Sequence, residues 1–163
     1  MEYVQFGFYK VKDEYFSEFP SKRHVYNKNE NRPYYLALKE ESGIIWLIPI
    51  SSQVEKYEAK ILADEEKYGE CIKCHIIRFM SEKRAVLIGN MIPVTSEYIK
   101  GEFTVLSIHY VVRDAKAIKA IKKKSARYLS LVKANKLRPY VDILGIERTL
   151  QNRTKNSDST KHN

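Results

Sequence analysis

The sequence has 163 residues and a mass of 19.1 kDa, with 29 Lys+Arg against 20 Asp+Glu and therefore a formal charge of +9. With 44% hydrophobic and 30% charged residues, 6 Gly and 5 Pro, the composition excludes the disordered and fibrous classes. A chain of this length buries enough surface to fold without disulfides, so we expect a single domain over residues 1–150. The N-terminus carries no secretory signal and no apolar run approaches the ~20 residues of a membrane span, which predicts a cytoplasmic protein.

The positive charge is concentrated in the C-terminal part of the chain. Residues 1–106 carry 15 Lys+Arg and 16 Asp+Glu, whereas residues 107–163 carry 14 and 4. Such a concentration is typical of a protein that binds a polyanion, because each phosphate it neutralises releases counterions. The alternative is a solvated helix face followed by a basic tail. An anionic membrane fits less well, since this stretch has no Trp or Phe face to insert.

The first elements are short. Residues 2–11 alternate loosely between polar positions and aromatic or β-branched ones, which predicts a strand. Asp13 is placed to cap a short helix over 14–19, which Pro20 ends. Residues 21–32 are polar without an apolar period, so they form a loop. Loops of about 12 residues inside a compact domain are usually functional or disordered.

The next segment combines a hairpin with a helix. Two apolar runs, 34–39 and 44–50, flank a short connection that contains glycine, which predicts a β-hairpin. The pair Ser51 and Ser52 then stands where an N-cap belongs, ahead of a helix over 53–68 that the following glycine ends. The local order is therefore strand, serine pair, helix.

The second half contains further strands followed by helices. In chain order we predict a hairpin of 71–79 and 84–88, a strand over 91–94, a short helix over 96–100, one long basic amphipathic helix over 107–133 and a last helix over 140–150. Residues 151–163 are polar without an apolar anchor and are expected to be a disordered tail. Strands followed by helices, without regular βαβ alternation, predict an α+β fold with a mainly antiparallel sheet.

Several kinds of catalytic site have no sequence motif here. Cys71 and Cys74 form a lone CxxC, a pattern that occurs in zinc sites and in redox sites. No second ligand pair completes a zinc site, so an apolar strand with incidental cysteines is the preferred interpretation. No phosphate-binding glycine loop, metal-ligand cluster or nucleophile elbow occurs, so we predict neither a metal nor a cofactor. The four histidines have no telling spacing, and His75 and His109 are expected to be structural.

Two polar clusters close in sequence are the best candidate for a site. They are the loop over 26–34 and the serines at the end of the following strand. Antiparallel pairing should return Ser51 to the start of the preceding strand, near Arg32. Cations, a phenol and two hydroxyls at a helix start would suit a phosphate. The alternative is that Ser51 and Ser52 only cap a helix, while Arg32 and Lys28 are ordinary loop residues.

Three segments together resemble a known family. They are Arg32–Leu38 (RPYYLAL), Trp46–Ser52 (WLIPISS) and Asn90–Val94 (NMIPV), followed by the long terminal helices. Their order and spacing over roughly residues 3–150 resemble the ToxN/AbiQ/CptN endoribonucleases of type III toxin–antitoxin systems, with the CptN branch most similar. The resemblance implies a compact, strongly bent antiparallel sheet, a barrel core related to the Kid/MazF ribonucleases, with helices around it.

The resemblance also implies an activity and a partner. Such toxins cut single-stranded, often A-rich RNA without metal, leaving 2′,3′-cyclic phosphate and 5′-hydroxyl ends. They act on cellular or phage RNA in abortive infection and process their own repeat-containing antitoxin RNA. The resulting pseudoknots stay bound as inhibitors in closed protein–RNA hetero-oligomers. No membrane is involved.

Carried over by position, the family's serine pair falls on Ser51 and Ser52, and its loop cation falls on Arg32 with Lys28 as the rival. Tyr26 lies near the family's loop tyrosine. Many relatives have a lysine soon after the serine, where this chain has Gln53, so the general base is open. The residues expected to contact RNA are Lys56, Tyr57, Lys116, Lys119, Lys122, Lys123, Lys124 and Arg127.

The sequence is also compatible with two other functions. One is a non-catalytic nucleic-acid-binding module in which the basic helix does the binding and the serines merely cap. The other, a DNA-binding repressor, is weakened by the absence of a short helix-turn-helix pattern.

Overall fold

One large sheet, a two-stranded ribbon and four α-helices make up residues 2–161, the part of the chain described by this computed structural model. The strands are β1 (Phe8–Val11), β2 (Tyr34–Lys39), β3 (Ile45–Ser51), β4 (His75–Phe79), β5 (Glu82–Val86), β6 (Ile92–Val94), β7 (Ile99–Glu102), β8 (Thr104–Val105) and β9 (Ile108–His109). The helices are α1 (Asp13–Glu18), α2 (Val54–Tyr68), α3 (Ala115–Lys133) and α4 (Ile143–Lys161). Every pairing between these strands is antiparallel, so the predicted α+β class with an antiparallel sheet is confirmed.

Strand β3 is the centre of the sheet. The strand order is β4-β5-β3-β2-β1-β7, and β6 also pairs with β3. Along one edge of β3, its first residues pair with β6 while Ile50 and Ser51 pair with β5. The sheet therefore divides along this strand. All seven residues of β3 are buried, which explains why its sequence is almost continuously apolar.

The core is a single cluster rich in aromatic side chains. The largest fully buried residues include Trp46 and several tyrosines of β1 and β2. Ile121 and Tyr128 of α3, together with Ile146 of α4, join the same cluster. Burial of such aromatic and aliphatic surface is the main force that holds the helices on the sheet. None of the helices within 2–161 has both the length and the apolar composition that crossing a membrane requires.

The predicted hairpins are found, but several boundaries differ. The first strand begins at Phe8, because Gly7 and the residues before it follow an irregular path. The long basic helix begins at Ala115, where Asp114 caps it by accepting a hydrogen bond from the Lys116 backbone N–H at 3.0 Å. The preceding residues form the β8–β9 ribbon instead. Apolar residues continue at helical spacing through that ribbon. The helix was therefore predicted to start too early in the sequence.

The last helix is longer than predicted. Residues 151–161 continue α4 as a helix, in contrast to the expected disordered tail; residues 162 and 163 lie outside the described part. Arg153 anchors this extension through its Nη1, which donates to Glu18 Oε2 at 2.9 Å and to the Tyr98 hydroxyl at 2.8 Å. These partners are distant in sequence, so no local sequence pattern predicts that the helix continues.

Candidate functional site

The polar loop before β2 is held in place by side-chain contacts to the start of α1. The amide nitrogen of Asn27 donates to the Val11 carbonyl at 2.9 Å and to Asp13 Oδ1 at 2.8 Å. Glu30 Oε2 accepts a hydrogen bond from the Asp13 backbone N–H, while Oε1 pairs with Lys100 at 3.1 Å. The side chain of Asp13 therefore binds the loop and does not cap α1, which corrects the sequence prediction. The loop is ordered by these contacts.

At the centre of the loop lies a left-handed turn. Lys28, Asn29 and Glu30 have φ values of 52°, 55° and 66°. Each non-glycine residue in this conformation costs about 1–2 kcal/mol, so three in succession need support from elsewhere. Support comes from the Glu30 contacts and from the Arg32 N–H, which donates to the Asn27 carbonyl at 3.2 Å. Such strain is typical of functional segments, and here it sets the position of Lys28.

Arg32 joins this loop to the end of β3. Its Nε donates to the Tyr26 carbonyl, and its Nη1 donates to the Ile50 carbonyl at 2.6 Å. The residue is 7% exposed and pairs with no carboxylate within residues 2–161. Burial lowers the pKa of the guanidinium from its ordinary value, an effect that Tyr34 and Tyr57 partly offset. The expected proximity of Arg32 and the end of the next strand is confirmed.

Lys28 lies near two arginines, Arg32 and Arg84. The pKa of Lys28 is lowered, first by partial burial and then by the positive charges of Arg32 and Arg84. Arg84 belongs to β5, next to the residue that pairs with Ser51, and its Nη2 lies 2.9 Å from Glu82 Oε2. Sequence analysis missed Arg84. Arg84 is placed near Lys28 by the pairing of β5 with β3, and the spacing of residues along the sequence does not predict this pairing.

The serine pair does not cap α2, contrary to one of the sequence predictions. The N-cap position is Gln53, with no side-chain cap. Ser51 is the buried last residue of β3, and its hydroxyl accepts a hydrogen bond from the Gln53 N–H at 3.1 Å. Ser52 is exposed, and within the described residues no hydrogen bond of its hydroxyl occurs. One hydroxyl is thus oriented by the turn, whereas the other is free for a ligand.

The other polar groups singled out in the sequence have structural contacts. His75 Nδ1 lies 3.1 Å from the Lys124 ammonium, and burial lowers the pKa of this imidazole. His109 contacts the Phe8 carbonyl at 2.9 Å and Glu102 at 2.8 Å. Cys71 and Cys74 are buried free thiols with their sulfur atoms 3.6 Å apart, just before β4 rather than within a strand. Among residues 2–161, no three His, Cys, Asp or Glu side chains gather as metal ligands.

The architecture has a counterpart among solved structures. Neither the models of protein families nor the curated proteins give a match to this chain. The structure of AbiQ, a lactococcal anti-phage endoribonuclease of the type III toxin–antitoxin system, is similar with a TM-score of 0.65 and 16% sequence identity. The similarity covers 92% of this chain and 99% of AbiQ. The chain has the fold of AbiQ. This result confirms the resemblance seen in the sequence at the level of the fold.

In this AbiQ-like fold, the basic face of α3 is smaller than predicted. Lys124 is turned inward, where its ammonium donates to the Cys74 carbonyl at 3.0 Å. Arg127 is paired with Glu70 at 2.6 Å. These two residues are therefore not free to bind RNA phosphates in the structure as it stands. Four exposed lysines in the N-terminal half of α3, which we call the lysine face, are Lys116, Lys119, Lys122 and Lys123.

The three remaining predicted residues occupy two places in the AbiQ-like fold. Tyr26 is 69% exposed, and its ring lines an open groove of about 720 Å³ together with Phe16 of α1. Its backbone carbonyl accepts a hydrogen bond from the Arg32 side chain. Tyr57, in the first turn of α2, lies close enough to affect the Arg32 guanidinium electrostatically. The Lys56 ammonium lies 5.3 Å from the centre of the Tyr57 ring.

Proposed function

We propose that this protein is an endoribonuclease toxin of a type III toxin–antitoxin system, in the ToxN/AbiQ/CptN family, and that the cluster of Lys28, Arg32, Ser51 and Ser52 cuts RNA. The observation that carries the proposal is the buried Arg32 guanidinium at the end of the strand that presents the serines, where backbone carbonyls hold it without a carboxylate partner among residues 2–161. The fold shared with an endoribonuclease supports the same conclusion. We also propose that the divided sheet is the Kid/MazF-like core. Membership of the CptN branch stays a prediction.

The proposed reaction is an internal transesterification of RNA. The 2′-oxygen forms a bond to the adjacent phosphorus while the bond from phosphorus to the 5′-oxygen breaks, giving a 2′,3′-cyclic phosphate and a 5′-hydroxyl that takes up a proton from solvent. Arg32 stabilises the charge that develops on the phosphate, and the Ser51 and Ser52 hydroxyls donate to its non-bridging oxygens. The strained loop and the end of β3 hold these groups in advance of substrate binding, which favours the transition state.

Lys28 is the group we assign as general base. A base must be unprotonated to take the 2′-hydroxyl proton, and Arg32 is too strongly basic for this role. The pKa of Lys28 is lowered by burial and by its two cationic neighbours, so more of it is neutral near physiological pH than of an ordinary lysine. The positive charge of Arg32 acts on the Lys28 amine, so the two groups lie close to each other.

This role predicts a specific pH dependence. The single-turnover cleavage rate should rise with pH as Lys28 loses its proton, and should level off below the ordinary lysine value of 10.5. Lys28→Arg should lower the rate about 100-fold or more and abolish the rise of the rate with pH, since arginine stays protonated. Lys22→Arg, an exposed change in the same loop, is the matched control. An unchanged pH profile in Lys28→Arg would contradict the assignment.

The partner of this site in our proposal is RNA of two kinds. Single-stranded cellular or phage RNA, A-rich by prediction, is the substrate, and the repeat antitoxin RNA is both substrate and inhibitor. The lysine face and the α2 pair Lys56 and Tyr57 contact the RNA through phosphates and the half-buried Tyr57 ring. The inhibitory pseudoknots then close the protein into a hetero-oligomer.

The direct test is incubation of the purified protein with single-stranded A-rich RNA in EDTA. We expect discrete fragments with 2′,3′-cyclic phosphate ends, which Ser52→Ala abolishes; wild type should also arrest bacterial growth. Intact RNA with a shifted band would instead show the non-catalytic binding module, in which α3 alone is functional. Harmless expression of wild type without a partner RNA would also count against a toxin.

A further inference from the structure

A second, different cavity lies between α3 and the sheet. It has a volume of about 150 Å³ and a mostly apolar lining. Its walls include the aromatic side chains of Phe6, Tyr35 and Trp46, while α3 contributes Lys122 and Ser125. Trp46 lies at the end of β3 opposite to the serine pair, and the residues between span about 17 Å. The cavity is therefore separate from the proposed cutting site.

Ser125 presents an unused hydrogen-bonding group to this cavity. The residue is 7% exposed, and its hydroxyl has no partner among the residues that the structure describes. A helical serine or threonine commonly bonds to the carbonyl four residues before it, as Thr149 and Thr154 do in α4. Buried polar groups in native proteins are almost always paired. The unpaired Ser125 hydroxyl thus indicates a ligand that supplies a hydrogen-bond donor or acceptor inside this apolar cavity.

The aromatic wall opposite α3 is held in a fixed conformation. Phe6 has a φ of 72°, which is rare for an aromatic residue. Its N–H donates to the Leu36 carbonyl at 3.0 Å, and its carbonyl accepts from the Val112 N–H at 2.9 Å. The Phe6 ring stacks on Tyr35 with a centroid distance of 6.2 Å and an interplanar angle of 26°. The cavity consequently exists before any ligand arrives.

We propose that this cavity binds one unstacked nucleobase of an RNA strand, with Lys122 at its mouth on the flanking phosphate. An apolar cavity of about 150 Å³ accepts a ring the size of benzene, and it is smaller than pockets for drug-sized ligands. Proteins recognise unpaired bases by contact with aromatic rings and by hydrogen bonds to the base edges, and the Ser125 hydroxyl can make such a bond. The exposed lysine face beside the mouth supplies the charge that an RNA strand needs. This inference rests on the proposed binding of RNA, although not on cleavage.

Trp46 offers a direct probe, since it is the single tryptophan of the chain and lines the cavity. Its indole N–H therefore gives one resonance in a ¹⁵N–¹H spectrum of the full-length protein. Titration with AMP, and separately with adenosine, should shift this resonance saturably. Ser125→Ala should weaken both ligands about fivefold to tenfold through loss of one hydrogen bond. Lys122→Gln should weaken AMP but leave adenosine nearly unchanged, because only AMP carries the phosphate.

Matched controls separate these effects from general disturbance. Ser130→Ala changes an exposed serine on the same helix and should bind both ligands as wild type does. Ser125→Ala should not lower the melting temperature, since it removes a buried hydroxyl without a partner. Absence of a shift at millimolar AMP and adenosine, or equal affinities in Ser125→Ala and Ser130→Ala, would overturn the proposal. Binding of toluene in place of either ligand would overturn it in favour of an apolar side chain from a protein.

The outcome is independent of the nuclease test. AMP and adenosine have no phosphodiester bond to cut, so they report on the cavity even if the protein cleaves no RNA. Conversely, a protein that cleaves RNA but leaves the Trp46 resonance unchanged would retain the proposed function and lose the base-binding cavity.

Discussion

Arg32→Ala is expected to lower the single-turnover rate of RNA cleavage by about 10²–10³, the usual cost of removing one preorganised donor to a developing negative charge. The guanidinium is the only group that bonds both to the loop, at Tyr26, and to the strand end, at Ile50, in the described contacts. Its loss also leaves two carbonyls without their donor, so the free energy of unfolding should fall by about 1–3 kcal/mol. Urea unfolding and cleavage assays on the same preparation measure both effects.

Arg32→Lys and Arg23→Ala complete this experiment. Lysine keeps the charge but cannot form the two fixed N–H contacts of the guanidinium, so we expect most of the rate to be lost. Arg23 is exposed in the same loop and should be replaceable with little effect on cleavage or unfolding. A folded Arg32→Ala protein that cleaves within tenfold of wild type would remove Arg32 from the proposed site.

Neutralising the lysine face is expected to weaken RNA binding on the order of 100-fold at moderate salt. The variant changes Lys116, Lys119, Lys122 and Lys123 to Gln, all exposed on α3. Each phosphate contact on a single strand contributes about 0.7 to the slope of log affinity against log salt, so the slope should become shallower by about 3. Fluorescence anisotropy with a labelled RNA oligonucleotide measures both quantities, and a Ser52→Ala background prevents cutting.

A control with the same net charge separates a defined surface from general basicity. Changing Lys136, Arg138, Arg148 and Lys155 to Gln also removes four exposed positive charges from the basic C-terminal part. If RNA touches α3 specifically, this variant should keep most of the affinity. Equal losses in both variants would show that the long-range charge of the C-terminal part, rather than the lysine face, attracts the RNA.

The two sets of changes should also be separable. Changes at Arg32 or Ser52 should reduce cleavage while antitoxin binding remains, and changes on the lysine face should do the reverse. Simultaneous loss of both activities in folded variants would mean that binding and cleavage share one surface.

The neighbourhood of Arg32 and the serines could be predicted from sequence, because a short connection sets the pairing of two adjacent strands. Tyr34 pairs with Pro49, which returns the end of β3 to the loop as expected. Arg84 could not be predicted, since β5 reaches β3 only after α2 and β4 have intervened. The capping role of the serines was also wrong, because the chain leaves β3 through a turn at Gln53 before the helix begins.

The amino-acid pattern is enough to predict the fold class, the two hairpins and the concentration of basic charge in the C-terminal part. These features depend on apolar periodicity, turn residues and composition, which act over a few neighbouring positions. Three features follow from packing instead: Lys124 turns inward, α4 continues to Lys161, and Ser125 faces an aromatic cavity. Each depends on contacts between segments far apart in the chain, such as Arg153 with Glu18, and such contacts arise only when the whole core has packed.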